Sequence, residues 1–140
     1  MGRTRREDGT ITVMVVGFFI VVALLAVVVV NASAAFLQRQ ELNNVADGAA
    51  LAAADALKAE SIYEHGIGED APLDPERARQ IVAAYLSSTG NTVAGWYVTT
   101  DNDRVHVHLE RLVDLALKPP GWDSSAQVTA DATALLRVSD

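Results

Sequence analysis

Cysteine is absent from this 140-residue chain. Disulfide cross-links and thiolate chemistry are therefore excluded, and an oxidising exterior would neither help nor harm the fold. Proline is nearly absent too: of its 4 residues the first is Pro72, so nothing of that kind interrupts a helix before it. Between Gly17 and Gly66 the only glycine is Gly48. Charge is missing over one long stretch, because Ile11 to Val30 contains no ionisable side chain and Thr12 is its only hydroxyl. Clustered cations are lacking as well. Three of the 11 Lys and Arg and two of the 18 Asp and Glu precede that stretch, which leaves eight against sixteen after it, a balance of −8. An acidic part of this kind is a poor binder of polyanions, so nucleic acid is not an expected partner.

What the chain does have is the apolar run itself. Ile11 to Val30 spans about 30 Å as a helix, the hydrocarbon thickness of a bilayer. Its Val, Ile, Leu and Phe residues together favour insertion by about 7 kcal/mol. Arg3, Arg5 and Arg6 precede it and predict a cytoplasmic N-terminus with the remainder outside the cell. Two processing sites compete with simple retention. Ala32-Ser33-Ala34 has the small-residue pattern of a signal-peptidase site, with a cut after Ala34. Basic residues, Gly9 and a long apolar helix are also how type IV prepilins begin, with a cut after the glycine. The acidic residue usual five positions later falls here on Met14. Retention is the preferred expectation, since the run exceeds the usual 7–15 residues of a signal-peptide core.

Downstream, Leu42, Val45, Ala46, Ala49, Ala52, Ala53, Ala56 and Leu57 recur at helical spacing. Gln40, Asn43, Asn44, Asp47, Asp55 and Lys58 lie on the other side. No helix breaker stands between Asn31 and Gln40, so one helix is expected from about residue 11 to about residue 60. Gly48 with its neighbouring alanines lets another backbone approach closely. The expected packing face is Leu42, Val45, Ala46, Gly48, Ala49, Ala52 and Ala53. It could pack under the protein's own exterior part, against partners, or both on different sides.

The remainder reads as an α+β unit. "LDPERARQIVAAYLSSTGN" is a second helix with Asp74 as N-cap, Pro75 in its first turn and Gly90 past its end. Its apolar stripe is Ala78, Ile81, Val82, Tyr85 and Leu86. "TVAGWYVTTDNDRVHVHLERLVDLAL" reads as a hairpin turning at Asp101-Asn102-Asp103. Val105, Val107 and Leu109 alternate with His106, His108 and Glu110. In the last strand Val128, Ala130, Ala132, Ala134 and Leu136 share one face. One apolar face per strand means a sheet covered on one side. Strand order is open, because several pairings satisfy the same alternation.

His106-x-His108, with Glu110 or Asp131, is the one metal-like pattern, and two imidazoles on a polar strand face are more simply an exposed face. Asp101, Asp103, Asp114 and Asp123 lack EF-hand spacing. No catalytic motif, cofactor loop or small-molecule site is recognisable, so no catalytic, cofactor-binding or metal residue is assigned. Trp96 is expected in the core. Trp122 follows Pro119-Pro120-Gly121 and is the candidate partner contact. Asn31-Ala32-Ser33 fits a glycosylation acceptor, but one abutting a bilayer is a poor one.

"REDGTITVMVVGFFIVVALLAVVVV" followed by "FLQRQELNNVADGAALAAADAL" resembles the TadE/TadG-like proteins of Flp (tight-adherence) pilus systems. The shared features are a charged cluster ending in glycine, one membrane helix, and the segment from Leu42 to Ala52. The absence of an acidic residue soon after Gly9 is more like the TadG-type members. The resemblance implies a membrane-anchored minor pilin or pseudopilin of a pilus-assembly or related secretion system, with other pilin subunits and membrane lipid as partners.

The expected organisation is a basic cytoplasmic segment 1–10, a transmembrane helix 11–31, its amphipathic continuation 32–60, and an exterior α+β domain 61–140. The overall expectation is a pilin-like α+β fold, with a long helix and a second helix packed on a small antiparallel sheet. A secreted acidic binding module released after Ala34 is the alternative, and a hydrolase or metalloenzyme a distant third.

Overall fold

The computed structural model describes residues 7–65, 73–101, 103–118, 120–121 and 125–136, with side chains from residue 9 onward to 63 in the first segment. Helix α1 runs unbroken from Glu7 to His65, 59 residues, or about 88 Å at 1.5 Å per residue. Helix α2 spans Pro75–Thr89. Strands β1 (Gly95–Asp101), β2 (Arg104–Asp114) and β3 (Ser125–Leu135) follow. They form one antiparallel sheet in the order β1-β2-β3. The fold is therefore α+β with a long apolar helix at its start. The strand order left open by the alternation pattern is that of a plain meander.

Local chemistry sets the ends of α2. The Asp74 carboxylate accepts a hydrogen bond from the Glu76 backbone N–H at 2.9 Å, satisfying one of the donors a helix leaves unpaired at its start. Pro75 sits where no backbone N–H is needed. Gly90 ends the helix in the left-handed region at φ 66°, a conformation glycine adopts without a Cβ clash.

The sheet lies on α1 and α2 through one face. Val105, Val107 and Leu109 of β2 and Val128, Ala130 and Ala132 of β3 are buried there. On the helices they meet Leu42, Ala46, Ala49, Ala53, Ala78 and Val82. Alanines dominate the α1 side of this core while leucine and valine dominate the strands, so large side chains fill the space that small ones leave. No buried side-chain nitrogen or oxygen among the described residues lacks a partner. The opposite face of the sheet is open, with Tyr97 and Leu112 well exposed.

Candidate functional site

Helix α1 is the feature around which the molecule is arranged, and its two halves have different surroundings. From Ile11 to Val30 the large apolar side chains project outward and, Val27 apart, are exposed; Phe18, Phe19, Val13 and Met14 are all more than 60% exposed. Among the described residues α1 is the one helix long and apolar enough to cross a membrane, and none of its most apolar stretch is buried. A core helix of a water-soluble domain would be covered. This one offers about 30 Å of apolar rod with nothing but solvent to receive it.

The second half is one-sided. Of the expected packing face, Leu42, Val45, Ala46, Ala49 and Ala53 are buried, at 8% exposure or less, under the protein's own sheet and α2. Gly48 and Ala52 are half-buried at its margin. Gly48 faces Tyr85 of α2: a Cβ added there would collide with the phenol oxygen and lie 2.8 Å from Cζ. Glycine at this position is thus a matter of room for the Tyr85 ring. The outer side of the same half carries Gln40, Asn44, Asp47 and Asp55, all exposed. Phe36, Leu37 and Leu51 are also exposed there, at 67%, 65% and 58%.

The two candidate processing positions are both helical. Gly9 has open space around it, and Ala34 is half-buried in mid-helix. Trp122 lies outside the described residues. Trp96 is partly buried against the core, with the Arg79 guanidinium 5.8 Å from its ring centroid.

Two residues gain roles that were not read from the sequence. Asn31, the first residue after the apolar run, uses both ends of its amide on one backbone position. Its Nδ2 donates to the Leu117 carbonyl and its Oδ1 accepts from the Leu117 N–H, each at 2.9 Å. This is not the free asparagine a glycosylation acceptor presents. Arg111 stands at a helix-facing position of β2, in line with Val105, Val107 and Leu109. Its side chain is 12% exposed and lies 3.5 Å from Glu41. It donates to the Thr92 carbonyl at 3.1 Å, to Asn91 Oδ1 at 3.1 Å and to Gln38 Oε1 at 3.4 Å. Arg111 thereby ties α1, β2 and the α2–β1 connection together. The signal was present: a cation on the inward phase of an apolar alternation must find several acceptors or be expelled.

On the open sheet face, His108 sits between two carboxylates. Its Nδ1 is 2.6 Å from Asp131 and its Nε2 is 3.4 Å from Glu110. Tyr97 stacks on it with centroids 4.7 Å apart. The hydrogen bond to Asp131, that carboxylate's charge and the second acceptor Glu110 hold the imidazolium above its ordinary range, against the partial burial that opposes it. His106 is directed instead to Thr133, 2.8 Å away. The two imidazoles thus have separate partners. Among the described residues no three His, Cys, Asp or Glu are arranged to hold a metal ion.

A feature that could bind partners is therefore the long helix with its exposed surfaces, and this is the segment for which a known family exists. Residues 9–56 match the family described as "Putative Flp pilus-assembly TadE/G-like". The Tad match bears out the resemblance over the apolar run and the Leu42–Ala52 segment, while the charged cluster before Gly9 lies outside the matched residues. It begins at Gly9 and ends one residue before Leu57, so it covers the exposed apolar half of α1 and nearly all of the half that builds the core. The sheet and α2 lie beyond it. No curated protein and no solved structure matches the chain. The Tad likeness connects this helix with Flp pilus assembly, and the unburied apolar stretch is compatible with membrane anchoring.

Proposed function

We propose that the protein is a single-pass, membrane-anchored, minor pilin- or pseudopilin-like component of a Flp/Tad-type pilus-assembly or related secretion system. It acts through binding surfaces and not through catalysis. The N-terminus is cytoplasmic and the α+β domain is outside the cell, an orientation supported by the arginines before the apolar run. The observation that carries the reading is the division of a single unbroken helix: its first half is apolar on every side and uncovered, and its second half is packed under the protein's own domain. The Tad match over the same residues supplies the biological context.

This division also redirects where partner contacts are sought. Leu42, Val45, Ala46, Ala49 and Ala53 are used internally, and Gly48 accommodates Tyr85. Partners then meet the apolar half, or the outer stripe that includes Phe36 and Leu51. Leu51→Asp is the direct test. It places a charge on an exposed position, so the domain should fold and remain in the membrane fraction while pilus assembly in the native host falls. Normal piliation with Leu51→Asp and Phe36→Asp combined would remove the outer stripe from the account.

A further inference from the structure

The connection between β2 and β3 leaves the sheet at the end nearest the apolar run. It carries an uninterrupted apolar segment, Leu115-Ala116-Leu117, before Lys118. Leu117 is 42% exposed, yet its backbone is held at both polar groups, because Asn31 satisfies its N–H and its carbonyl. Asn31 is one residue beyond Val30, a rise of about 1.5 Å. The polar headgroup layer on each side of a bilayer is about 5–8 Å thick. If the apolar run fills the hydrocarbon, a residue hydrogen-bonded to Asn31 lies within that layer.

We propose that residues 115–118, which open the β2–β3 connection, are a second membrane contact of this protein, with the Leu117 side chain set into the lipid interface beside α1 and Asn31 as the residue that pins it there. The inference rests on the membrane-anchored reading above. Its occupant is the bilayer surface, argued from continuity with the apolar helix surface, since connection and helix meet at the helix's exit point. The Asn31 amide suits that place. Where lipid replaces water, a backbone N–H and carbonyl need a protein partner, and one amide supplies both. The contact is apolar in character. The part of the chain beyond the apolar run has a net charge of −8 (eight Lys and Arg against sixteen Asp and Glu). Lys118, the one nearby cation on the connection, faces Asp114 at 3.8 Å, so attraction to anionic lipid is not what holds it. The consequence is orientation: tethered at α1 and at the connection, the exterior domain is fixed against the membrane with the Asp101–Arg104 end of its sheet pointing away.

The chain has no cysteine, which makes single-site labelling clean. Full-length Val21→Cys, Leu117→Cys and Asp101→Cys variants would each carry a nitroxide and be reconstituted in phosphatidylcholine vesicles. Accessibility to oxygen, which partitions into lipid, is compared with accessibility to a water-soluble nickel chelate. Labels at 21 and 117 should favour oxygen and the label at 101 should favour nickel. Adding Asn31→Ala should move the label at 117 toward nickel while the label at 21 stays unchanged. A lipid-exposed label at 21 with a water-exposed label at 117 overturns the proposal and leaves the anchored reading standing. A water-exposed label at 21 overturns the anchored reading itself. A label at 117 that enters lipid only when phosphatidylglycerol is added overturns the apolar character of the contact, and one indifferent to Asn31→Ala overturns the role of Asn31.

Discussion

The first and second halves of α1 share a backbone conformation and a richness in apolar residues, yet they need different surroundings. Between Ile11 and Val30 the apolar side chains are large and cover the full circumference. Between Leu42 and Leu57 they are mostly alanine and, Leu51 apart, gather on one side, with Asn44, Asp47 and Asp55 opposite. A rod that is apolar all round can be accommodated by lipid; a rod with one small-residue stripe is accommodated by a sheet on that stripe and water elsewhere. Composition alone separates the halves poorly. The angular distribution and the size of the side chains separate them well.

The sharpest way to break the comparison is to put the wrong residue in each half. Val21→Arg with Leu24→Arg places two cations near the middle of the apolar run, each costing about 2.5–3.5 kcal/mol of insertion. Together they consume most of the run's favourable energy, and the protein should leave the membrane fraction with its α+β domain still folded. Ala49→Asp does the reverse. Its site is fully buried, so an unpaired carboxylate there should cost about 3–5 kcal/mol and unfold the domain, with the anchor still inserted. Fractionation and near-UV circular dichroism read the two effects separately. Equal loss of both signals in either variant would show that the halves are one cooperative unit.

A smaller effect tests the packed half alone. Gly48→Ala drives a methyl into the Tyr85 ring, an overpacking cost of about 1–3 kcal/mol. That exceeds or offsets the helix-propensity gain of about 1 kcal/mol. In a Tyr85→Ala background the collision is gone, so the same substitution should become neutral or stabilising. A change of sign in denaturant unfolding of the four variants would locate the coupling at this contact.

The smallest expected effect concerns pH. The folded-state pKa of His108 lies above the ordinary imidazole range. Its bonds to Asp131 and Glu110 therefore contribute fully below about pH 6.5, and that contribution is lost as pH rises through the raised pKa. Both carboxylates are solvent-exposed, so the change is slight. Unfolding midpoints should drift down between pH 6 and pH 8, and His108→Asn should flatten that drift.

Much of this was legible in the sequence because the signals are local. Asp74, Pro75 and Gly90 mark the ends of α2 through chemistry that acts within a turn or two. The alternation from Val105 to Leu109 fixes which face is buried without knowledge of what covers it. The unbroken α1 follows from the absence of breakers before Pro72. What escaped were contacts between residues far apart in the chain: Asn31 with Leu117, separated by 86 positions, and Tyr85 against Gly48. The order β1-β2-β3 escaped for a different reason, since alternation is symmetric to permutation of strands. Arg111 lay between these cases: its place in the alternation was visible, but not the acceptors on α1 and the α2–β1 connection.

The central claim is that the lipid-facing and core-forming halves remain one polypeptide, joined through Ala34. The intact mass of the native protein, taken separately from membrane and culture medium, tests it most directly. The account predicts a membrane-bound species retaining at least residues 10–140. A soluble species in the medium beginning at Ala35 would contradict it, because the apolar half would then be a leader that the mature protein discards.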